Sequence, residues 1–250
     1  MTTARTHLDV EGCFNVRDAG GWATADGRWM RTGRLFRADD PVRITDRGRE
    51  AIAGLDLVAV VDLRTPVQMK RGRFADPAIT FQLPMVDYVI DFDNPPTIER
   101  ADDIDALYED MVQRGGAQLA EAVEAVAAHV EQGAVLVHCS AGKDRTGLLV
   151  AIVQAAIGVP LDAIVEEYAL SDEPAGRRRQ AMLDHPLPGD PQVARSPAFL
   201  WAAPAAAMRS FVERAVEAHS ALDAWPVGMG VSADAVEQLR AGLVVDRAAG

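Results

Sequence analysis

The segment from residue 134 to residue 157 constrains the fold of this chain more than any other. Residues 134–138, Ala-Val-Leu-Val-His, form an uninterrupted apolar run of the kind found in strands buried on both faces of a sheet. A short loop, residues 139–145, separates this run from an apolar segment that predicts a helix over residues 146–157. A strand that passes through a short loop into a helix indicates an α/β fold.

Other segments repeat this alternation of strand and helix. A β-branched run at residues 57–61 predicts a second buried strand that ends at Asp62, and a third apolar piece at residues 79–86 ends at Asp87. Thr45 and Gly54 are the expected cap and end of a short helix. The sequence therefore predicts an α/β domain with a central, mostly parallel sheet flanked by helices.

The remaining segments are helical in pattern. Residues 104–130 carry two apolar faces at helical spacing, and Gly115-Gly116 predicts a break between them. Beyond Pro160 the chain turns helical, with predicted helices over residues 161–170, 211–221 and 232–243. No linker or internal repeat divides the chain. We expect one domain over residues 1–250, with residues 160–205 as a helical insertion.

Composition excludes several classes of function. The chain has 250 residues and a net charge of −12, which argues against a general nucleic-acid-binding protein. Its two cysteines, Cys13 and Cys139, form neither a disulfide framework nor a zinc motif, so we expect no metal and no cofactor. No signal peptide or membrane-spanning segment is evident, and we expect a cytoplasmic protein without stable membrane insertion.

The loop at residues 139–145 carries the chemistry. A loop between a strand and a helix N-terminus can turn successive backbone N–H groups toward an anion, and Gly142 gives the conformational freedom for that curvature. We expect Ser140, Ala141, Gly142 and Lys143 to surround a bound phosphate. Cys139 at the base of the loop would lie in the same positive field, which favours a nucleophilic thiolate.

Three further side chains next to the loop have predicted roles. Arg145 can grip two phosphate oxygens bidentately, which a lysine could not reproduce. Thr146 is placed to give its hydroxyl to the sulfur of Cys139 and ease departure of the thiolate. His138 is expected to make a hydrogen bond that fixes the loop.

The pattern C-x-x-x-x-x-R-[S/T] after an apolar strand and a histidine resembles the protein tyrosine phosphatase superfamily. The extended form at residues 138–147, HCSAGKDRTG, is similar to the bacterial PtpB-like tyrosine/lipid phosphatase family. Residues 15–21, NVRDAGG, and the pieces at 33–38 and 61–64 resemble further elements of that family in the same order. The resemblance spans residues 15 to about 170.

This resemblance implies a cysteine-phosphatase fold in which the helical segment after Pro160 packs as a lid or flank over the site. It implies hydrolysis of phosphomonoesters through a phosphocysteine intermediate. Phosphotyrosine is the expected substrate, and phosphoserine/threonine or phosphoinositide activity is a further expectation. The partner is thus a phosphorylated protein or a phosphoinositide.

The acid that protonates the leaving oxygen has two candidates. In some relatives it is an aspartate inside the loop, which here is Asp144; in dual-specificity phosphatases it follows an upstream strand, where this chain has Asp87. Asp62, at a strand end on the same rim, is expected to orient or bind the substrate. General acid catalysis contributes roughly 10²–10⁴-fold, so kinetics can separate the candidates.

Two other functions compete with hydrolysis. A catalytically silent phosphopeptide-binding module could use the same loop, although such modules usually lack the cysteine, the arginine or the acid. A thiol redox or arsenate-reducing enzyme would need a second cysteine near Cys139, and only Cys13 is available. Cys13 itself is expected to be a buried filler, Arg17 and Asp18 to brace a loop, and Arg177, Arg178 and Arg179 to lie on a solvated helix face.

Overall fold

A computed structural model describes residues 7–74, 79–85, 104–188, 190, 194 and 196–246. A sheet of five strands in the order β1-β3-β6-β4-β5 lies at its centre. The strands β3, β6, β4 and β5 are parallel to their neighbours, and β1 at one edge is antiparallel to β3. These strands are β1 (Arg17–Asp18), β3 (Leu35–Ala38), β4 (Leu57–Asp62), β5 (Ile79–Gln82) and β6 (Ala134–His138); β2 (Trp29–Met30) and β7 (Val244–Val245) form a separate antiparallel pair.

Helices cover both faces of the central sheet. They are α1 (Asp46–Ala53), α2 (Pro66–Met69), α3 (Ile104–Val130), α4 (Asp144–Ala156), α5 (Leu161–Ala169), α6 (Asp172–Asp184), α7 (Ala205–His219), α8 (Trp225–Gly228) and α9 (Ala233–Leu243), with short 3-10 turns at Pro41–Arg43 and Ala198–Trp201. The mostly parallel α/β architecture predicted from the sequence is confirmed. No helix in the described ranges is long and apolar enough to span a bilayer.

The alternation of side chains along β6 divides the core into two parts. Val135 and Val137 belong to a large apolar cluster with α3, α4 and α9, whereas Leu136 faces the other side and packs in a smaller cluster that includes Ile52 of α1. A strand whose side chains are buried on both faces reads as a continuous apolar run. All five residues of β6 are buried, so the loop that follows begins from a fixed point.

The bounds of several predicted elements agree with the structure. The strand predicted at residues 57–61 is β4, and the Thr45 hydroxyl caps α1 by accepting a hydrogen bond from the amide of Gly48. The predicted helix over 146–157 begins two residues earlier, at Asp144. The predicted helix over 211–221 begins earlier still, because α7 starts at Ala205, directly after Pro204.

The predicted break at Gly115-Gly116 is wrong. Helix α3 continues without interruption for 27 residues. Gly115 is buried, and a Cβ added there would lie 3.1 Å from Cε of Met85, so the missing side chain makes room for a neighbour. Tertiary packing thus outweighs the low helix propensity of two adjacent glycines.

Continuity of α3 can be tested at Gly116, where an added Cβ would meet no atom within 4 Å. Gly116→Ala should raise the free energy of unfolding by about 0.5–1 kcal/mol, because alanine loses less backbone entropy in a helix than glycine. Urea unfolding measures the change. Gly115→Ala, which crowds Met85, is the matched control and should gain less. Destabilisation by Gly116→Ala would contradict a continuous helix.

Candidate active site

The loop after β6 has the backbone that an anion-binding loop requires. Cys139 follows β6 directly and is 2% exposed, and α4 begins five residues later at Asp144. Gly142 has a φ of 63°, and a Cβ there would lie 2.4 Å from the carbonyl oxygen of Ala38. Only glycine therefore lets the loop curve while it passes the end of β3.

The carbonyl groups of the loop are bound from outside. The side-chain amide of Asn15 donates to the carbonyl oxygens of Ala141 (3.1 Å) and Gly142 (3.0 Å). Arg37 Nη2 donates to the carbonyl of Gly142 at 2.5 Å, and the amide of Asp40 donates to the carbonyl of Ser140 at 2.9 Å. A loop whose carbonyls are held on its convex side presents its N–H groups to the concave side, where an anion binds.

A buried network holds these outer donors. Glu167 of α5 accepts from Arg17 Nε at 3.0 Å through one carboxylate oxygen and from Arg37 Nη1 at 2.5 Å through the other. Arg17 also donates to the Oδ1 atom of Asn15 and, at 3.0 Å, to the hydroxyl of Ser171. Burial and the neighbouring charge of Arg37 lower the pKa of Arg17 to about 9. Arg17 therefore braces the loop, as predicted, but Arg37 and Glu167 were not identified from the sequence.

Arg145 lies at the start of α4 beside the loop and is 4% exposed. Its Nη1 atom donates to the carbonyl of Leu63 at 3.1 Å and to Oε1 of Gln68 at 3.2 Å. Residues after β4 thus orient the guanidinium. A guanidinium held in one plane by neutral acceptors is suited to bidentate binding of a phosphate.

The predicted role of Thr146, to give its hydroxyl to the departing sulfur of Cys139, stays a prediction. The Thr146 hydroxyl is buried and has no hydrogen-bond partner within the part of the chain that is described. A buried hydroxyl without a partner costs about 1–3 kcal/mol, so this oxygen is available for a group that arrives during the reaction.

Lys143 and Asp144 form a polar cluster at the start of α4. Lys143 Nζ donates to Asp144 Oδ1 at 2.7 Å and to the carbonyl of Ala202 at 2.8 Å. The Tyr108 hydroxyl also donates to Asp144 Oδ1, at 2.8 Å, and is itself bonded to the Tyr168 hydroxyl. Burial and the charge of Asp144 raise the pKa of Tyr108 well above its ordinary value, so it stays a donor. Two donors therefore fix the Asp144 carboxyl through a single oxygen.

Asp62 forms an ion pair with Arg64 and does not lie exposed at the edge of the site. Its two oxygens accept from Arg64 Nε at 2.9 Å and from Arg64 Nη2 at 2.8 Å. Burial opposes ionisation, but the hydrogen bonds from Arg64 and the charges of His138 and Arg64 hold the pKa of Asp62 below its usual range. His138 Nε2 lies 3.6 Å from Asp62 Oδ2.

His138 is buried between this pair and the loop. Its Nδ1 atom lies 3.4 Å from the carbonyl oxygen of Cys139, and its ring packs edge-on against Phe74 at 4.9 Å. Burial lowers the pKa of His138 to about 4, although Asp62 opposes the shift. The imidazole is therefore neutral in the folded protein near neutral pH.

The expectation for the run Arg177 to Arg179 is wrong for its central residue. Arg178 is buried and donates to Asp39 at 3.2 Å and to both oxygens of Asp40 at 3.1 Å. Asp40 also accepts from the hydroxyl of Ser140 at 3.3 Å, which connects α6 to the loop. Burial raises the pKa of Asp39 to about 6 against the opposing charge of Arg178. Burial of Arg178 follows from the facing carboxylates, which helical periodicity cannot reveal.

A second ion cluster, centred on Asp190, connects the segment after α6 to residues that follow β3 and α2. Asp190 accepts from Arg71 at 2.6 Å and from Arg43. The Arg71 hydrogen bond helps to lower the pKa of Asp190, although burial opposes this. Arg43 ends the 3-10 turn after β3 and Arg71 follows α2, so Asp190 links the two segments that follow β3 and α2.

The predicted site residues for which the structure gives coordinates are brought together at the end of β6 and the start of α4. Asp87 lies outside the described residues. Cys13 is close to the site in space, since its thiol lies 3.9 Å from the carbonyl of Asp40, and burial raises its pKa far above the ordinary value. In the described ranges no group of His, Cys, Asp and Glu side chains has the arrangement of a metal site.

A mostly parallel α/β sheet with a buried cysteine directly after one of its inner strands, and an arginine at the start of the next helix, is the arrangement expected of a tyrosine phosphatase. Comparison with known families agrees. Residues 8–245 match the family described as the tyrosine phosphatase family, and the chain belongs to that family.

Relatives of known name are tyrosine or triple specificity phosphatases. The triple specificity protein phosphatase PtpB of Mycobacterium tuberculosis is 33% identical over 196 residues, which cover 66% of this chain and 69% of that protein. A tyrosine-protein phosphatase of Nostoc commune is 30% identical over 55% of this chain and 48% of that protein. The solved structure of P. aeruginosa TpbA in complex with pTyr is 18% identical, with a TM-score of 0.37, over 76% of this chain and 94% of that one.

The neutral state of His138 has a consequence for stability against acid. A histidine whose pKa is lowered by folding stabilises the protein fully above the unfolded pKa of about 6.5, and the contribution is lost as the pH falls towards 4. Between pH 7 and about pH 4.5 this loss should reach about 2–3 kcal/mol.

In His138→Asn this loss of about 2–3 kcal/mol in the free energy of unfolding between pH 7 and about pH 4.5 should disappear. Urea unfolding at the two pH values measures the free energy of unfolding. The raised pKa of Asp39 acts with the opposite sign but is present in both proteins, so the difference between them isolates His138. The exposed His185 supplies the control, His185→Asn, which should keep the wild-type dependence. An equal acid dependence in His138→Asn and wild type would mean that His138 is protonated in the folded state.

Proposed function

We propose that this chain hydrolyses phosphotyrosine through a phosphocysteine intermediate, with Cys139 as the nucleophile. The observation that carries the proposal is the loop itself. A buried cysteine lies at its base, and its carbonyls are bound on the outside by Asn15 and Arg37. Dipoles that are fixed in this way stabilise negative charge without rearranging during the reaction.

The first step forms a bond between sulfur and phosphorus while the bond from phosphorus to the tyrosine oxygen breaks. The loop amides and Arg145 bind the three equatorial oxygens, and the leaving phenolate takes a proton from an aspartic acid. In the second step water attacks phosphorus, the S–P bond breaks, and inorganic phosphate leaves. The proposed donor to the departing thiolate is the Thr146 hydroxyl, which is buried and unpartnered within the described part of the chain.

Asp144 is the proposed acid. Its Oδ1 atom is held by Tyr108 and Lys143, and Oδ2, which accepts no hydrogen bond from the described residues, is the oxygen proposed to carry the proton towards the substrate. Asp62 is a poorer candidate, because both of its oxygens accept from Arg64. Asp87 is the alternative that the sequence supplies. The proposed role of Asp62 is to orient the site through His138, and Ser140, Ala141 and Lys143 contribute to phosphate binding.

The proposal extends to other phosphomonoesters. The named relative PtpB is a triple specificity phosphatase, and this supports activity on phosphoserine/threonine or phosphoinositides beside phosphotyrosine. A thiolate mechanism also needs a reduced nucleophile. Both cysteines are free, which supports a reducing, cytoplasmic setting.

Turnover of para-nitrophenyl phosphate in EDTA tests the mechanism. The wild type should release nitrophenol without added metal, and Cys139→Ser should lower the rate to background while it keeps phosphopeptide binding. Cys13→Ser is the matched control and should stay active, because that thiol lies outside the loop. Tight phosphopeptide binding by a wild type that releases no nitrophenol would instead indicate a silent binding module.

The identity of the acid is tested by leaving-group dependence. Asp144→Asn should lower kcat by about 10²–10³ for aryl phosphates with poor leaving groups and far less for those with good ones, because only a poor leaving group needs a proton. Asp87→Asn should not show this difference. If Asp87→Asn alone shows it, Asp144 is not the acid.

A further inference from the structure

A groove beside the loop has no part in the reaction as proposed. Its volume is about 300 Å³, and it is lined by Pro66, Met69, Lys70, Arg73, Gln82 and Pro84. Two exposed cations therefore flank a floor made of two prolines and a methionine. Such a surface can hold an extended, acidic segment of another chain.

The groove opens at the same edge of the sheet as Cys139. Gln82 on β5 is aligned with Asp62 on β4, which is aligned with His138 on β6. Adjacent strands lie about 4.8 Å apart, so Gln82 is about 10 Å from the residue that precedes Cys139. Helix α2 stands between the two sites, and its Gln68 accepts from Arg145 on one side while Met69 lines the groove on the other.

The charge at the groove is unusual for this protein. The chain has a net charge of −12 and only two lysines, Lys70 and Lys143. The nearby Arg64 and Arg71 are each paired with an aspartate, at 2.8 Å and 2.6 Å. For Lys70 and Arg73, no acidic partner is found among the residues that the structure describes. Among the described residues these two exposed cations therefore have no acidic group to neutralise them, and their charge is available to an anion from outside.

We propose that this groove is a substrate subsite that binds an acidic side chain about three residues from the phosphotyrosine. The inference rests on the proposed function, because the phosphate in the loop fixes where the peptide begins. An extended peptide advances about 3.3 Å per residue, so three residues cover about the same 10 Å as the two strand spacings from His138 to Gln82 of the groove. Lys70 and Arg73 then pair with the glutamate or aspartate.

Binding to Cys139→Ser tests the subsite without any need for turnover. Fluorescent phosphotyrosine peptides carry either Glu or Gln at the third residue before or after the phosphotyrosine, and anisotropy gives Kd. At one of the two positions, before or after the phosphotyrosine, we expect the Glu peptide to bind about fivefold more tightly than the Gln peptide, as for a partly exposed ion pair. This preference should fall at about 0.5 M salt.

The added substitutions Lys70→Glu and Arg73→Glu should abolish or reverse this preference. Arg34→Glu makes the same charge change as either single substitution. It lies before β3, at the opposite end of the parallel strands from Gln82, and should keep the preference. In the active enzyme the two substitutions Lys70→Glu and Arg73→Glu together should raise KM for the Glu peptide. They should leave kcat and the turnover of para-nitrophenyl phosphate unchanged. The proposal is overturned if the double variant keeps the preference for the Glu peptide. It is also overturned if the protein without these two substitutions shows no such preference.

Lysine acetylation gives a second measurement, which removes the charge of Lys70 chemically. Lys70 is exposed and Lys143 is 2% exposed, so a mild acetylating reagent should modify Lys70 and the α-amino group. Modified wild type should lose much of the preference, and modified Lys70→Arg should keep it. Equal effects in both proteins would exclude Lys70 as the contact.

Two outcomes separate this proposal from its alternatives. If the wild type fails to hydrolyse para-nitrophenyl phosphate, the proposed function fails, and the binding experiment still decides on the groove. Phosphatidylcholine vesicles with and without a phosphatidylinositol phosphate serve as the second probe. If the double variant loses vesicle binding while its peptide preference is unchanged, the groove binds a lipid headgroup and the peptide proposal is overturned.

Discussion

The shape of the loop depends on one buried carboxylate. Glu167 binds Arg17 and Arg37 at once, and these arginines hold Asn15 and the carbonyl of Gly142. Breaking such a buried pair typically costs about 3–5 kcal/mol, because the remaining charge has no partner. Two guanidiniums against one carboxylate also leave a positive charge behind the loop. The network thus sets both the curvature of the loop and its preference for anions.

This local field explains how an acidic protein can bind an anionic substrate. At physiological ionic strength charges are screened beyond about 8 Å, so the net charge of −12 has little influence inside the loop. Within that distance the groups that matter are the loop amides, the N-terminus of α4 and Arg145. The distribution of charge, and not its sum, determines what this protein can bind.

Features contained in one continuous segment could be predicted from the sequence. The strand β6, the loop and the N-terminal end of α4 are contiguous, so the strand–loop–helix unit that contains Cys139 and Arg145 was recognised from the sequence. Features that depend on distant partners were missed. Glu167 lies 130 residues from Arg37, Arg178 differs from Arg177 only in facing Asp39 and Asp40, and Gly115 stays helical because Met85 fills the space beside it. The organisation as one domain with residues 160–205 as a lid stays a prediction.

Arg178 and Asp190 each bind two side chains of opposite charge. One guanidinium lies between two carboxylates, and one carboxylate lies between two guanidiniums. Displacing α6 by a turn would set an uncharged residue such as Ala175 or Ala181 against Asp39 and Asp40 and leave those buried carboxylates without Arg178, so these contacts favour a single alignment. The consequence is evolutionary: residues 172–190 cannot be exchanged between family members as a cassette unless Asp39, Asp40, Arg43 and Arg71 are inherited with them.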